Sequence, residues 1–169
     1  LTRAPGEFAF EPGSRPGLHP GQTANITRQG QVVGYLGALH PSVTAGLGLV
    51  APLYAGEINL EAVLQGQLPA FTEISKFPEV RRDLAVVVDK SVPAAELMAN
   101  VRTMAGTYLT DLRLFDVYEG KGIDPKRKSL ALGLTFRDQS RTLGDEDVNK
   151  AVGQVVDLLE KNYKAELRN

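Results

Sequence analysis

Residues 129–137 read SLALGLTFR. Leu130, Leu132, Leu134 and Phe136 fall on one side of an extended chain. Ser129, Ala131, Gly133, Thr135 and Arg137 fall on the other. Strict alternation marks a strand with one buried face, because successive side chains of extended backbone point to opposite sides. The stretch therefore predicts a sheet packed on one face and left open on the other. On the open side the residues of this strand are mostly small, so a partner's backbone can approach it closely.

Reading outward from this strand gives the rest of the layout. Upstream, residues 123–128 form a basic loop, preceded by a turn at Gly120 and Gly122. Leu109–Tyr118 is strand-like, with Leu112 and Leu114 facing one way. Ala94, Leu97, Met98, Val101 and Ala105 have helical spacing, with Ser91 and Pro93 as start signals and Gly106 as a stop. Leu84–Val88 is a continuous apolar run and predicts a strand buried on at least one face. Downstream, Thr142 is placed to cap a second helix, with Asp145, Glu146 and Asp147 in its first turn, where acidic groups complement the helix dipole. Val148, Ala151, Val152, Val155 and Leu159 supply its apolar stripe. Ala165–Arg168 reads as a last edge strand. The order β-α-β-β-α-β predicts an α+β, ferredoxin-like unit: a four-stranded antiparallel sheet with two helices on one face.

The first part of the chain has a different texture. Residues 5–21, PGEFAFEPGSRPGLHPG, read as loop because Gly and Pro recur so often. Thr23–Arg28 and Gln31–Leu39 predict a hairpin turning at Gln29-Gly30. A short helix over Pro41–Leu47 and a strand over Leu53–Leu60 follow. This is mostly antiparallel β structure, small for a complete domain. Up to residue 70 the only charged residues are Arg3, Arg15, Arg28, Glu7, Glu11, Glu57 and Glu61; the rest of the chain is charge-dense. The shift near Gln65–Pro69 sets the expected domains at 1–68 and 69–169.

Composition narrows the function. The chain has 169 residues and a net charge of −1, so no global basic field attracts nucleic acid. The absence of cysteine excludes disulfides and thiolate metal sites and is compatible with a reducing cytoplasm, the expected compartment. No apolar run approaches the roughly 20 residues of a membrane helix, and no signal peptide precedes the first turn. The chain begins at Leu1, as a piece of a longer protein would. Catalytic signals are weak. His19 and His40 each precede a proline and read as loop or strand-end residues. No GxxxxGK[ST] phosphate loop is present, and GSRPGLHPGQ lacks the strand–loop–helix context for phosphate binding. Asp145, Glu146 and Asp147 resemble a metal cluster on paper, but their place at a helix start explains them better.

The basic residues are the stronger lead. Arg81 and Arg82 open the first strand, Lys121 follows the second, Lys126, Arg127 and Lys128 precede the third, and Arg137 and Arg141 follow it. Together they can fringe one rim of the open sheet and contact phosphates, with Tyr118 among them to stack on an unpaired base. The competing reading is a solvated surface of Arg–Asp pairs. For Arg81 and Arg82, beside Asp83, phosphate contact and structural clamping both stand.

Four stretches carry a resemblance: SKFPEVRRDLAVVV (75–88), LFDVYEGKGI (114–123), KSLALGLTFRDQSRTLGDEDV (128–148) and KAELRN (164–169). They resemble the ferredoxin-fold anticodon-binding domain that ends the β subunit in the bacterial phenylalanyl-tRNA synthetase family, over about residues 71–169. FEPGSRPGLHPGQTANI (10–26) and VVGYLGALHPSV (32–43) resemble the end of the same subunit's catalytic-like, inactive class II synthetase-like domain. The resemblance implies a C-terminal fragment of a class II (αβ)2 heterotetramer that joins phenylalanine to its tRNA with ATP and magnesium. Aminoacylation belongs to the α subunit, so this fragment alone is expected to hold no catalytic residue, cofactor or metal. Its implied role is to bind the tRNA anticodon stem-loop. By resemblance, the tyrosine of FD-x-Y and the serine of KSLA are RNA contacts, here Tyr118 and Ser129. Three rivals share parts of this pattern. An RNA-recognition-motif protein would carry aromatics on its central strands, where this chain has Ala131, Gly133 and Thr135. A ferredoxin-like regulatory domain would bind a small amino acid. A subunit-docking module would bind no RNA and expose a large apolar patch.

Overall fold

The computed structural model describes residues 5–66 and 75–168. The chain divides into two compact units, Leu1–Thr72 and Glu73–Asn169. The boundary expected at 68–69 lies outside the described residues.

In the first unit, four strands form an antiparallel sheet in chain order: β1 (Phe8–Pro12), β2 (Leu18–Arg28), β3 (Gln31–Leu39) and β4 (Tyr54–Ile58). Gln29 and Gly30 have φ of 51° and 78°. These left-handed conformations are the ones a two-residue hairpin between β2 and β3 demands. The expected loop over 5–21 instead contains β1 and the start of β2. Pro12 sits at the end of its ladder, and Pro20 and Gly21 fall in the register shift between Leu18 and Thr23, so the prolines take positions a strand tolerates. Helix α1 (Pro41–Gly46) starts on Pro41, and His40 Nδ1 accepts the Ser42 N–H at 3.2 Å. Helix α2 (Leu60–Leu64) starts at Asn59, whose side chain accepts the Ala62 N–H. Arg28 pairs with Glu7 at 2.6 Å and lies over the Phe8 ring, tying the edge strand to β2. Phe10, Leu36 and Ile58 are exposed on this unit.

The second unit runs β5 (Val80–Asp89), α3 (Ala94–Ala105), β6 (Leu109–Tyr118), β7 (Arg127–Phe136), α4 (Asp145–Tyr163) and β8 (Glu166–Leu167). Its sheet order is β6-β7-β5-β8 and every neighbouring pair is antiparallel. This is the ferredoxin-like arrangement the alternation in β7 predicts. Leu130, Leu132, Leu134 and Phe136 are fully buried, as are Val86 and Val88 of β5. Leu97 and Val101 of α3 and Val148, Val155 and Leu159 of α4 close over them in one apolar core. Both helices thus cover one face.

Two local expectations shift. Strand β7 begins at Arg127, so Arg127 and Lys128 belong to the ladder and not to a loop. Thr142 stands too early to cap α4, which begins after Gly144. The Asp147 carboxylate accepts the Gly144 N–H at 3.1 Å and closes the first turn from inside.

Candidate nucleic-acid interface

Strand register shows what the open face presents. Across β6, β7 and β5 its residues fall in four rows: Asp111–Thr135–Arg81, Arg113–Gly133–Asp83, Asp116–Ala131–Ala85 and Tyr118–Ser129–Val87. Simple alternation from Leu112 and Leu114 would send Asp116 and Tyr118 to the buried side. A register shift between Leu114 and Asp116 prevents this. Phe115 is the extra residue of a bulge, which reverses the facing of everything after it. Val117 then pairs with Leu130 on the helix side, while Tyr118 pairs with Ser129 on the open side. Phe115 itself stays on the open face, 60% exposed.

Tyr118 is held in place from three directions. Its hydroxyl donates to the Lys121 carbonyl at 3.1 Å. The Arg168 guanidinium lies over the ring, 5.1 Å from its centroid, a cation–π arrangement. Gly120 leaves room for the phenol: a Cβ there would stand 2.8 Å from the hydroxyl oxygen. The residue remains 36% exposed, and it forms a pair with Ser129 across the ladder. Ser129 is only 4% exposed, less open than an unshielded sheet face implies.

The basic residues separate into two groups. Arg81 donates to Glu79 at 2.5 Å, and Arg137 donates to the other oxygen of the same carboxylate at 2.6 Å. Hydrogen bonding from Arg81 chiefly, with the charge of Arg137 beside it, holds Glu79 below the usual carboxylate range. Arg82 lies on the helix side of β5 and pairs with Asp145 at the start of α4, at 2.7 Å. Neither arginine uses the adjacent Asp83 as its partner, which the sequence suggested. Arg127 donates to the carbonyls of Val87 and Lys164 at 2.6 and 2.8 Å and pairs with Glu166. With its side chain 21% exposed, it is a clamp fastening β8 to the sheet. Lys128 Nζ donates to the Lys90 carbonyl. Arg141 pairs with Asp147 at 2.6 Å and lies over Tyr108. That contact raises the guanidinium's pKa further and lowers the pKa of Asp147. Lys121 and Lys126 have no side-chain partner among the described residues. Arg81 is 75% exposed despite its pair, which leaves its charge available to an incoming anion.

Asp145, Glu146 and Asp147 do not converge. Two of them answer arginines on different elements, and among the described residues no group of three acidic or histidine side chains is arranged to hold a metal. His19 and His40 lie in the first unit with ring centroids 6.4 Å apart; each accepts a local backbone N–H. No helix among the described residues is long and apolar enough to cross a membrane.

Phe115 and Arg168 were not among the residues singled out from sequence, and Asp83 was read there only as a partner for the neighbouring arginines. A bulge leaves no local mark in an apolar pattern, and Arg168 reaches Tyr118 only through the pairing of β8 beside β5.

A helix-backed antiparallel sheet with a framed tyrosine on its open face is an arrangement that some RNA-binding modules share with domains of other functions. Residues 75–168 match the ferredoxin-fold anticodon binding domain, and the chain belongs to that family. Residues 2–60 match the phenylalanyl tRNA synthetase beta chain CLM domain. The chain is 55% identical to the phenylalanine–tRNA ligase beta subunit of Pseudomonas fluorescens over 95% of its own length and 20% of the relative's. It is 44% identical to the Coxiella burnetii beta subunit over 99% of its length and 21% of the relative's. For that of Shewanella oneidensis the values are 43%, 100% and 21%. The chain thus spans about a fifth of the length of these curated relatives.

Proposed function

We propose that the open face of the β6-β7-β5-β8 sheet binds unpaired bases of a tRNA anticodon stem-loop. It does so as part of a phenylalanine–tRNA ligase, an (αβ)2 enzyme of the cytoplasm. The α subunit attaches phenylalanine to the tRNA with ATP and magnesium, and this chain's residues take no part in that chemistry. The observation that carries the reading is the bulge at Phe115, which turns Tyr118 onto the open face opposite Ser129. With Arg168 against one face of the Tyr118 ring, the other face receives a base, and the cation strengthens the ring as a stacking platform. Ser129 supplies a short-range hydrogen bond to the edge of a base or sugar once the loop is seated. Lys121, Lys126 and the exposed Arg81 contact phosphates, which position the loop without reading it. Arg82, Arg127 and Arg141 shape the domain, since their donors are committed to protein acceptors.

The test is a titration of the full-length ligase with a cognate and a non-cognate anticodon stem-loop, with and without Tyr118→Ala, at two salt concentrations. The expected result is cognate-preferring, salt-weakened binding that Tyr118→Ala reduces about tenfold. Equal binding of both loops, untouched by the substitution, would overturn the reading.

A further inference from the structure

The open face holds a recess two rows away from Tyr118 and Ser129. It is a concavity of about 190 Å³ lined by Arg81, Asp83, Arg113, Phe115 and Gly133. Its floor is the bare backbone of Gly133. A Cβ placed there would meet Asp83 Oδ1 at 3.6 Å and the Phe115 ring at 3.7–3.8 Å. An aromatic wall and a carboxylate therefore flank a patch of half-buried peptide. Gly133 lies four residues from Ser129 along β7, a separation of about 13 Å at strand rise. That distance lies within the span of a splayed single strand.

The charges around the recess are unequally committed. Arg81 is paired with Glu79 and Arg113 with Asp111, both at the surface. The Asp83 carboxylate has no hydrogen-bond or ion-pair partner among the described residues. An ionised carboxylate only accepts hydrogen bonds, so it selects a ligand edge that donates. The exocyclic amino group of adenine, cytosine or guanine is such an edge. Uracil sets a lone N–H between two carbonyl oxygens, which the carboxylate repels. The flat floor and the Phe115 wall suit a ring lying against them. Arg81 and Arg113 stand where flanking phosphates would pass, and exchanging an exposed ion pair for a phosphate contact costs little.

We propose that this recess is a second base subsite, in which an amino-bearing unpaired base packs against Phe115 over Gly133 and is read by the Asp83 carboxylate. The inference rests on the open face being the RNA face. It adds a specificity-determining residue, Asp83, at a position separate from the Tyr118–Ser129 pair.

The test uses the full-length ligase and a set of anticodon stem-loops in which each unpaired base in turn is replaced by uridine or made abasic. Binding is compared for the unaltered protein, Asp83→Asn, Gly133→Ala, Gly133→Val and Tyr118→Ala. Gly133 has ordinary space for a Cβ, so Gly133→Ala raises the floor of the recess without breaking the strand, and Gly133→Val fills it further, with a denaturant melt checking that the variant folds. Asp83→Asn keeps the shape and removes the charge. The expected result is one loop position, distinct from the Tyr118-sensitive one, where uridine weakens binding about tenfold. Asp83→Asn should shrink that preference to less than about threefold, and Gly133→Val should make that position indifferent to the base or its absence. If the Asp83 and Gly133 variants bind every loop as the unaltered protein does while Tyr118→Ala still weakens binding, the second subsite is wrong and the RNA face stands. If none of the variants affects any loop, the RNA face itself fails and the recess belongs to a different kind of partner.

Discussion

Tyr118 and Gly120 show how narrowly one side chain is placed. The phenol folds back over its own turn to donate to Lys121, and the missing Cβ at Gly120 makes space for it. A methyl group there meets the movable end of a side chain, so Gly120→Ala should change unfolding free energy by less than about 0.5 kcal/mol. It should nonetheless displace the ring and weaken stem-loop binding severalfold. Denaturant melts and a binding titration on the same variant separate the two effects. A large loss of stability would mean that the turn, and not the tyrosine, needs the glycine. The arginines teach a related lesson. In the sequence Arg81, Arg82, Arg127 and Arg141 form one basic set, yet all four donate within the protein, and of these Arg81 keeps the most exposed side chain. Arg141 answers Asp147 six residues on, but the partners of Arg82 and Arg127 lie far along the chain, Asp145 being 63 residues from Arg82, and no local pattern names such partners.

At the scale of elements, alternation in β7 and helical spacing in α3 and α4 were readable because burial repeats with the period of the backbone. The strand β1 was hidden by neighbouring Gly and Pro, although its prolines occupy tolerated positions. The bulge in β6 was hidden for a different reason: an extra residue exists only relative to the partner strand, and its effect is to reverse the facing of Tyr118. The two-residue strand β8 is too short to hold itself, and Arg127 supplies the fastening through Val87, Lys164 and Glu166. Arg127→Met should therefore cost about 2 kcal/mol in a urea melt, as expected for charge-assisted bonds to partly buried carbonyls. It should also speed amide exchange at Arg168, whose N–H donates to the Ala85 carbonyl. Unchanged exchange there would show that β8 is held by other contacts. Because Arg168 lies over Tyr118, the same variant links a structural clamp to the open face.

Across the second unit, four carboxylates are held below their ordinary values. Arg81 acts chiefly on Glu79, the Ser91 hydroxyl on Asp89, the Ser140 N–H on Asp138 and Arg141 on Asp147. A carboxylate with a lowered folded-state pKa adds stability above its unfolded value and loses it as pH falls through the folded value. These groups should thus leave stability flat from neutral pH to about 5 and erode it below about 4. Denaturant midpoints measured down the pH scale check this, and Asp147→Asn should flatten part of the acid slope. A decline that begins well above pH 5 would contradict this assignment.

The central claim is that the helix-free face of the second unit is where RNA sits. The most direct measurement is photo-crosslinking of the full-length ligase to an anticodon stem-loop carrying a photoreactive base at each loop position, with the attached peptides identified by mass spectrometry. Crosslinks in β6 and β7 at Phe115, Tyr118 and their cross-strand neighbours are the predicted result. Crosslinks confined to the outer surfaces of α3 and α4 would contradict it.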